Sequence, residues 1–437
     1  MNPKVNVITM GCSKNLIDSE RLLKMLSDEG IEAYHEDEDF EGDVVVINTC
    51  GFIGDAKEES INKILDECEK KADGRVDKVF VMGCLSERYR EELPAEIPEV
   101  DGWFGKFDWK NVVKAITGRK TVVGSKPWDR KITTPSHHAY LKVAEGCNRM
   151  CGFCAIPIIT GRYRSRPIPE IVDEVKELVA RGVKEFNIIA QDLSNYGRDL
   201  GGKMDPSPLA RLLEEISAID GVEWIRLHYA YPAGFPYDIL PVIASRPNIC
   251  KYIDIALQHI DDKVLDNMHR HIDAESTRRL LKRMREEVPR LHIRTTLMVG
   301  FPGETVEAFE RLVDFVKEQR FDRMGAFAYC EEEDTRAARE FKDEIPPEVK
   351  QNRLDRLMKI QEKIALELNE EKVGKVFRVI IDSENDEFYV GRTEFDSPDV
   401  DPEVLVKKTM KLNVGDFYNV KVVEALPFEL IAEPSND

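Results

Sequence analysis

The sequence predicts an α/β protein in three parts: an N-terminal open parallel α/β domain, a central partial (β/α)6 barrel and a C-terminal small antiparallel β-barrel. Short β-branched runs alternate with amphipathic helical patterns through the first 125 residues, and again six times from about 139 to 330. After about residue 372 the apolar period drops to simple alternation, with turn residues between short runs. A chain of 437 residues also has the length of about three domains.

In the first part (1–125), the runs Val5–Met10, Val44–Asn48 and Lys78–Met82 read as strands, with helical stretches near 14–29, 54–71 and 108–117. Apolar β-branched runs interleaved with helices make parallel strands. The polar stretch GSKPWDRKITTPSHH (124–138) is a connector. In the second part (133–370), the expected strands are Tyr140–Ala144, Glu185–Ala190, Trp224–Tyr229, Tyr252–Leu257, His292–Val299 and Met324–Tyr329. Helical patterns follow near 169–181, 207–218, 236–244, 274–287 and 304–319, with a long one at about 347–371. Six βα repeats fit an incomplete barrel better than an eight-fold one. In the third part (371–437), Val376–Ile381, Glu387–Val390, Val404–Val406, Phe417–Val423 and Glu429–Ala432 read as five short strands of a small barrel. The charged clusters at 35–43 and 331–334 read as solvated loops, and His137 and His138 as part of a solvated connector.

Composition narrows the function. Hydrophobic residues are 42% and charged residues 33%, a soluble globular balance. The net charge of −19 disfavours a nonspecific grip on nucleic acid and suits a basic partner. No apolar run is long enough to cross a membrane, and the start MNPKVNVITMGCSKN lacks the pattern of a secretion signal. A cytoplasmic location is expected. Nine cysteines, an odd number in a long chain, then favour metal binding or catalysis over disulfides.

The strongest signal is CNRMCGFC, which spaces Cys147, Cys151 and Cys154 as C-x-x-x-C-x-x-C. Three thiolates on one loop can hold three corners of a cubic iron–sulfur cluster and leave one iron open. The loop follows the first barrel strand, at the carboxyl edge where barrel enzymes build active sites. Zinc is the competing reading, although structural zinc normally takes four ligands in separated pairs. Cys12, Cys50 and Cys84 each follow a strand run and precede a helical pattern. Such positions converge outside the carboxyl ends of an open parallel sheet, so a second three-thiolate cluster is expected there; small buried thiols at tight turns are the alternative. Cys68 and Cys250 read as core thiols, and Cys330 as a bystander at the end of the sixth strand.

The CNRMCGFC motif, its place after strand one, and the aromatic Phe153 before the last cysteine resemble the radical S-adenosylmethionine superfamily. The resemblance implies that the open iron chelates the amino and carboxylate groups of S-adenosylmethionine, whose reductive cleavage yields a 5′-deoxyadenosyl radical. A three-cysteine α/β domain, this barrel and a C-terminal domain similar to TRAM together resemble the methylthiotransferases over essentially the whole chain. That family implies two [4Fe-4S] clusters and two uses of S-adenosylmethionine, one for methyl transfer to sulfur and one for hydrogen abstraction. It also implies an electron donor and a sulfur source. Its substrates are a tRNA adenosine or an aspartate of ribosomal protein S-twelve.

Three features resemble the ribosomal-protein branch, called RimO: CNRMCGFCAIPIITGRYRSRPI (147–168), LHYAYP (227–232) and YVGRTEFDSPDVD (389–401). Ser397, Asp399 and Cys330 depart from the branch pattern, where alanine, glutamate and serine are usual. The implied target is the β-carbon of an aspartate of S-twelve, free or in the small ribosomal subunit. Charge points the same way. Residues 371–437 carry fifteen acidic against eight basic side chains, net −7, which suits a basic protein and disfavours direct tRNA binding.

As cofactor contacts, the family places Gln191 and Asp192 at the end of strand two. Arg226 in strand three could pair with a carboxylate. Gln258 and His259 end strand four, Thr295 and Thr296 lie in strand five, and GFPGET (300–305) supplies flexible backbone near the adenine. Polar strand ends also cap helices, which is the competing reading for each. The alternatives to the S-twelve enzyme are a tRNA adenosine methylthiotransferase with the same clusters and a non-catalytic iron–sulfur or zinc protein that binds ribosomes.

Overall fold

The computed structural model describes residues 3–119, 126 and 128–435. Residue 125, the expected end of the first part, and two further positions of the 124–138 connector lie outside them.

The N-terminal part runs β1 (Lys4–Thr9), α1 (Ser13–Asp28), β2 (Glu32–His35), β3 (Gly42–Thr49), α2 (Gly54–Ala72), β4 (Val76–Gly83), α3 (Cys84–Arg88), α4 (Leu93–Glu96), β5 (Gly102–Trp103) and α5 (Trp109–Thr117). Its strands form one parallel sheet in the order β2-β1-β3-β4-β5. Val44 and Val46 pack on one face and Val45 and Ile47 on the other, so both faces are covered and the run reads as continuously apolar. β2 and β5 are short edge strands that the sequence pattern does not reveal.

The central part begins with β6 (His138–Lys142), the hairpin β7 (Ala144–Glu145) and β8 (Arg164–Ser165) around α6 (Ile156–Thr160), and α7 (Ile168–Ala180). It continues through β9 (Glu185–Ile189), α8 (Pro208–Ser217), β10 (Trp224–Ala230), α9 (Ile239–Ser245) and β11 (Ile249–Gln258). Then come α10 (Asp262–Asn267), α11 (Ala274–Glu287), β12 (His292–Val299), α12 (Val306–Gln319), β13 (Arg323–Ala328), α13 (Arg336–Glu340) and α14 (Pro347–Glu370). The six-stranded sheet β6-β9-β10-β11-β12-β13 is the expected incomplete barrel. Alternate residues face the helices, as with Ile293, Leu297 and Val299 of β12, and leave Arg294, Thr296 and Met298 on the lumen side.

The C-terminal part is a closed barrel of β14 (Val376–Glu384), β15 (Phe388–Thr393), β16 (Glu403–Lys407), β17 (Phe417–Ala425) and β18 (Glu429–Pro434). One pairing differs from the antiparallel expectation: β16 and β18 are parallel, and that pair closes the barrel.

This small barrel caps the amino ends of the central strands. Phe395 of its β15–β16 loop stacks on His292 at 3.9 Å, Arg323 meets Asp396 at 2.5 Å, and Tyr140 donates to Asp399 at 2.6 Å. His137 and His138 are buried there rather than solvated, because the C-terminal barrel covers them; His137 contacts Asp382 at 2.8 Å. Asp382, Asp396 and Asp401 are thereby committed to cations or His137 at this seam, so part of the domain's acidity is internal.

Candidate active site

β1, β3 and β4 are neighbours in register, with Thr9 beside Asn48 and Thr49 beside Gly83, so their carboxyl ends stand side by side. Each end delivers one cysteine: Cys12 before α1, Cys50 before α2 and Cys84 as the first residue of α3. Two glycines let the loops close up. A Cβ on Gly11 would stand 2.9 Å from the Cys50 sulfur, and one on Gly51 would stand 2.7 Å from the Leu85 backbone. Asn15 ties the three loops together. Its amide donates to Met10 O and Thr49 O at 3.0 Å, and its oxygen accepts from Cys84 Sγ at 3.4 Å and Lys106 Nζ at 3.1 Å. Burial pushes the Cys50 thiol up to about 11 and raises Cys84 as well. At Cys12, crowding also acts upward, but Lys14, Lys106 and two backbone N–H groups outweigh it and hold the thiol below its ordinary value.

The second triad lies on the loop after β7. Gly146, at φ +79°, passes so close to Arg162 O that a Cβ would stand 2.2 Å from it. Cys147 Sγ accepts from Arg149 N at 3.5 Å, and Cys154 N donates to Cys151 O at 3.0 Å. Cys151 Sγ lies 3.2 Å from Arg270 Nη1 and 3.5 Å from the Tyr231 hydroxyl. The Tyr231 ring is held between the Arg149 and Arg270 guanidiniums, each 4.1 Å from its centroid. Burial pushes Cys147 up to about 11 and raises Cys154 further. Phe153 packs among Met268, Met298, Phe301 and Tyr329. Desolvated thiols like these become ligands when a metal replaces their protons, and three soft sulfurs on one loop form the donor set of a cubic iron–sulfur cluster.

The two triads face each other. Cys84 packs directly on Ala155 and Ile159, just beyond Cys154. Asp18 of α1 pairs with Lys142 of β6 at 2.6 Å, and Ile17 packs with Tyr140 and Ile189. Arg88 and Lys57 each reach Glu332 at 2.9 Å. Glu332 is buried, so the charged run 331–334 is not merely solvated: it holds the N-terminal part against the barrel mouth.

Around the mouth, several buried polar atoms have no partner among the described residues: Gln191 Oε1, Asp192 Oδ1, Gln258 Oε1, Arg149 Nη2 and Arg270 Nε. Such orphaned donors and acceptors side by side suit a zwitterionic ligand carrying hydroxyls. Asp192 is otherwise paired with Arg149 at 2.6 Å, and Gln191 with Glu145 at 2.9 Å. His259 and Glu304 are occupied with each other at 3.2 Å, and Glu304 also takes Gly300 N and Arg353.

Two expected contacts fall elsewhere. Arg226 is the third residue of β10, at the amino end, where it pairs with Glu185 at 3.1 Å and donates to Glu394 O of the C-terminal barrel at 2.5 Å. It is fully buried on the side opposite the mouth. Thr295 has the strand parity that faces the helices, and its hydroxyl donates to Ile255 O at 2.8 Å and accepts from Leu257 N at 3.4 Å. Thr296 has the lumen parity. Cys68 and Cys250 are buried core thiols, and Cys330 is exposed beside Gly54. Asn15, Lys106, Tyr231 and Arg270 were not expected as site residues; of the site's polar shell, Arg149 lay inside the CNRMC stretch and Tyr231 inside LHYAYP, whereas Lys106 and Arg270 lay in no motif singled out.

Three family matches follow the same division: residues 4–105 match the uncharacterized protein family UPF0004, 141–316 the radical SAM superfamily and 373–434 the TRAM domain. Among solved structures, the radical S-adenosylmethionine methyltransferase TsrM from Kitasatospora setae superposes with a TM-score of 0.55 at 16% identity, over 74% of this chain and 72% of that one, a likeness of fold. The ribosomal protein uS12 methylthiotransferase RimO of Parabacteroides distasonis is 56% identical over 433 residues, 99% of each chain. That of Christiangramia forsetii is 50% identical over 436 residues, 99% of this chain and 94% of its own. The chain belongs to the RimO family of radical SAM methylthiotransferases.

Proposed function

We propose that this chain inserts a methylthio group at the β-carbon of an aspartate of ribosomal protein S-twelve. The observation that carries the reading is the contact of Cys84 with Ala155 and Ile159, which sets two cysteine triads across one crevice. The full-length relatives named for uS12 supply the substrate. We assign Cys147, Cys151 and Cys154 to one [4Fe-4S] cluster and Cys12, Cys50 and Cys84 to a second. Phe153 lines the first cluster's pocket.

S-adenosylmethionine, bound at the barrel mouth, supplies a primary radical for C–H abstraction and a methyl group for sulfur. Gln191, Asp192 and Gln258 would accept from its ammonium and ribose hydroxyls, and Arg149 and Arg270 would donate to its carboxylate. Lys106 and Lys142, both gripping Asp18, keep positive charge between the triads, which suits thiolate ligands. Against burial, which acts upward, Lys142 and Lys106 hold Glu145 at about 2, so it stays ionised and keeps its bond from Gln191. Close packing of α1 over the lumen excludes water and other hydrogen donors from a radical.

An electron donor and a sulfur source are required as partners. No helix among the described residues is long and apolar enough to cross a membrane; we infer a cytoplasmic protein whose C-terminal domain meets a basic protein rather than tRNA. Anaerobic reconstitution followed by turnover tests the reading. Mass spectrometry should find one methylthio group on the target aspartate of S-twelve. Methylthiolation of tRNA with none on S-twelve would overturn it, and bound zinc without cleavage of S-adenosylmethionine would favour a scaffold.

A further inference from the structure

Lys14 lies two residues after Cys12, at the start of α1, and its ammonium sits 3.2 Å from the centroid of the Tyr229 ring at the mouth end of β10. Lys106 and Lys142 are both held by Asp18, whereas Arg149, paired with Asp192, and Arg270, on Cys151 and Ala256 O, turn their remaining N–H groups to the pocket assigned above to S-adenosylmethionine. Among the described residues Lys14 has neither a carboxylate within ion-pair reach nor a hydrogen-bond acceptor. A ring face attracts an ammonium but accepts none of its three N–H bonds in full, so the group remains able to take an anion.

Tyr229 is placed there at a cost. Its backbone is left-handed, at φ +60°, inside a register shift between Leu227 and Ala230. Strict alternation would put it on the helix-facing side with Ile225 and Leu227. The irregularity turns it to the lumen, against Ile17, Tyr140 and Ile189, while Asp254 satisfies its N–H at 3.0 Å. A strained non-glycine residue at a bulge beside an active site is a way of re-aiming one side chain.

We infer that Lys14, seated on Tyr229, binds the side-chain carboxylate of the substrate aspartate and so selects an acidic target and fixes its β-carbon between the triads. The inference rests on the aspartate reading above. An unpaired ammonium beside the crevice is the complement of a carboxylate, and a nucleobase offers no such charge.

The test is a binding cycle on reconstituted full-length protein, with S-twelve and its target Asp→Asn form, against wild type and Lys14→Met. Either change alone should weaken binding by about tenfold, and the two together by no more than one of them. Lys14→Arg should recover much of the loss. Iron content and substrate-free cleavage of S-adenosylmethionine should match wild type, because Lys106 and the backbone N–H groups beside Cys12 remain in place. Losses that multiply in the double change would overturn the inference. So would lost iron, which would assign Lys14 to the cluster thiolates, or lost substrate-free cleavage, which would assign it to the cofactor's carboxylate. If wild type leaves S-twelve unmodified, the underlying reading fails first, before any variant is compared.

Discussion

Glu332, in the loop after β13, accepts a hydrogen bond from Arg88 of α3 at 2.9 Å, and both side chains are buried. Arg88 also donates to Gly51 O at 3.0 Å, beside Cys50, so one guanidinium links the first triad's loop to the barrel that carries the second.

Removing Glu332 should therefore uncouple the two halves of the reaction. Glu332→Ala takes the close carboxylate from a buried guanidinium and leaves it Glu333 at 3.9 Å; removing one partner of a buried pair costs about 3–5 kcal/mol where measured in other proteins. Methylthiolation should fall at least tenfold while substrate-free cleavage of S-adenosylmethionine persists. A variant with normal transfer would show that the seam is not needed.

The triads should separate by function. Replacing Cys147, Cys151 and Cys154 with alanine should remove about half the iron and all radical cleavage. Replacing Cys12, Cys50 and Cys84 should remove the other half, spare cleavage and abolish sulfur insertion. Asn15→Ala should resemble the second set in milder form, because it frees the loops of all three cysteines at once. Iron analysis with product detection decides this; sulfur insertion by the Cys12, Cys50 and Cys84 variant would refute the assignment.

Much of this was legible from the residues, and the failures have physical causes. β-branched runs marked the long strands because both faces of a parallel sheet are apolar. The convergence of Cys12, Cys50 and Cys84 was legible because each stands where a strand meets a helix. Glu332 was misread because EEED looks like a solvated run, and its partner Arg88 lies 244 residues earlier. His137 and His138 were misread for the same reason: the covering surface belongs to another domain. Thr295 is a parity error that the apolar pattern of β12 could have prevented. The parallel β16–β18 pair leaves no trace in alternation, which reports faces and not direction.

Arg226 and Gln258 should part company under mutation. Arg226→Ala strips one partner from buried Glu185, which keeps Arg392 at 2.7 Å, so stability should fall by about 3 kcal/mol. Affinity for S-adenosylmethionine should not move. Gln258→Leu should leave stability nearly intact and weaken that affinity roughly tenfold, the worth of a lost hydrogen bond at a buried site. Paired melting and ligand-binding curves test both; weakened cofactor binding in Arg226→Ala would restore the role first expected for it.

Acid should loosen the seam between the two barrels before it reaches Asp396. Burial, and then the Arg392 guanidinium, push His138 down to about 4; burial and Arg226 lower His228 as well. A base whose folded value lies below its ordinary 6.5 contributes full stability above 6.5. Below that, the unfolded chain binds a proton that the folded chain refuses, and stability falls until about pH 4. Asp396, held at about 2 by Arg323 and Lys372 against burial, loses its contribution only as pH falls from about 4 toward 2. His138 alone should therefore cost about 2 kcal/mol between pH 7.5 and 5. Trp224, whose ring lies 4.8 Å from Phe417 across the seam, gives a fluorescence reporter of separation. The melting midpoint should drop over that range in wild type, and His138→Gln should flatten the slope whatever its midpoint at neutral pH. An unchanged slope in the variant would mean that other groups carry the acid sensitivity.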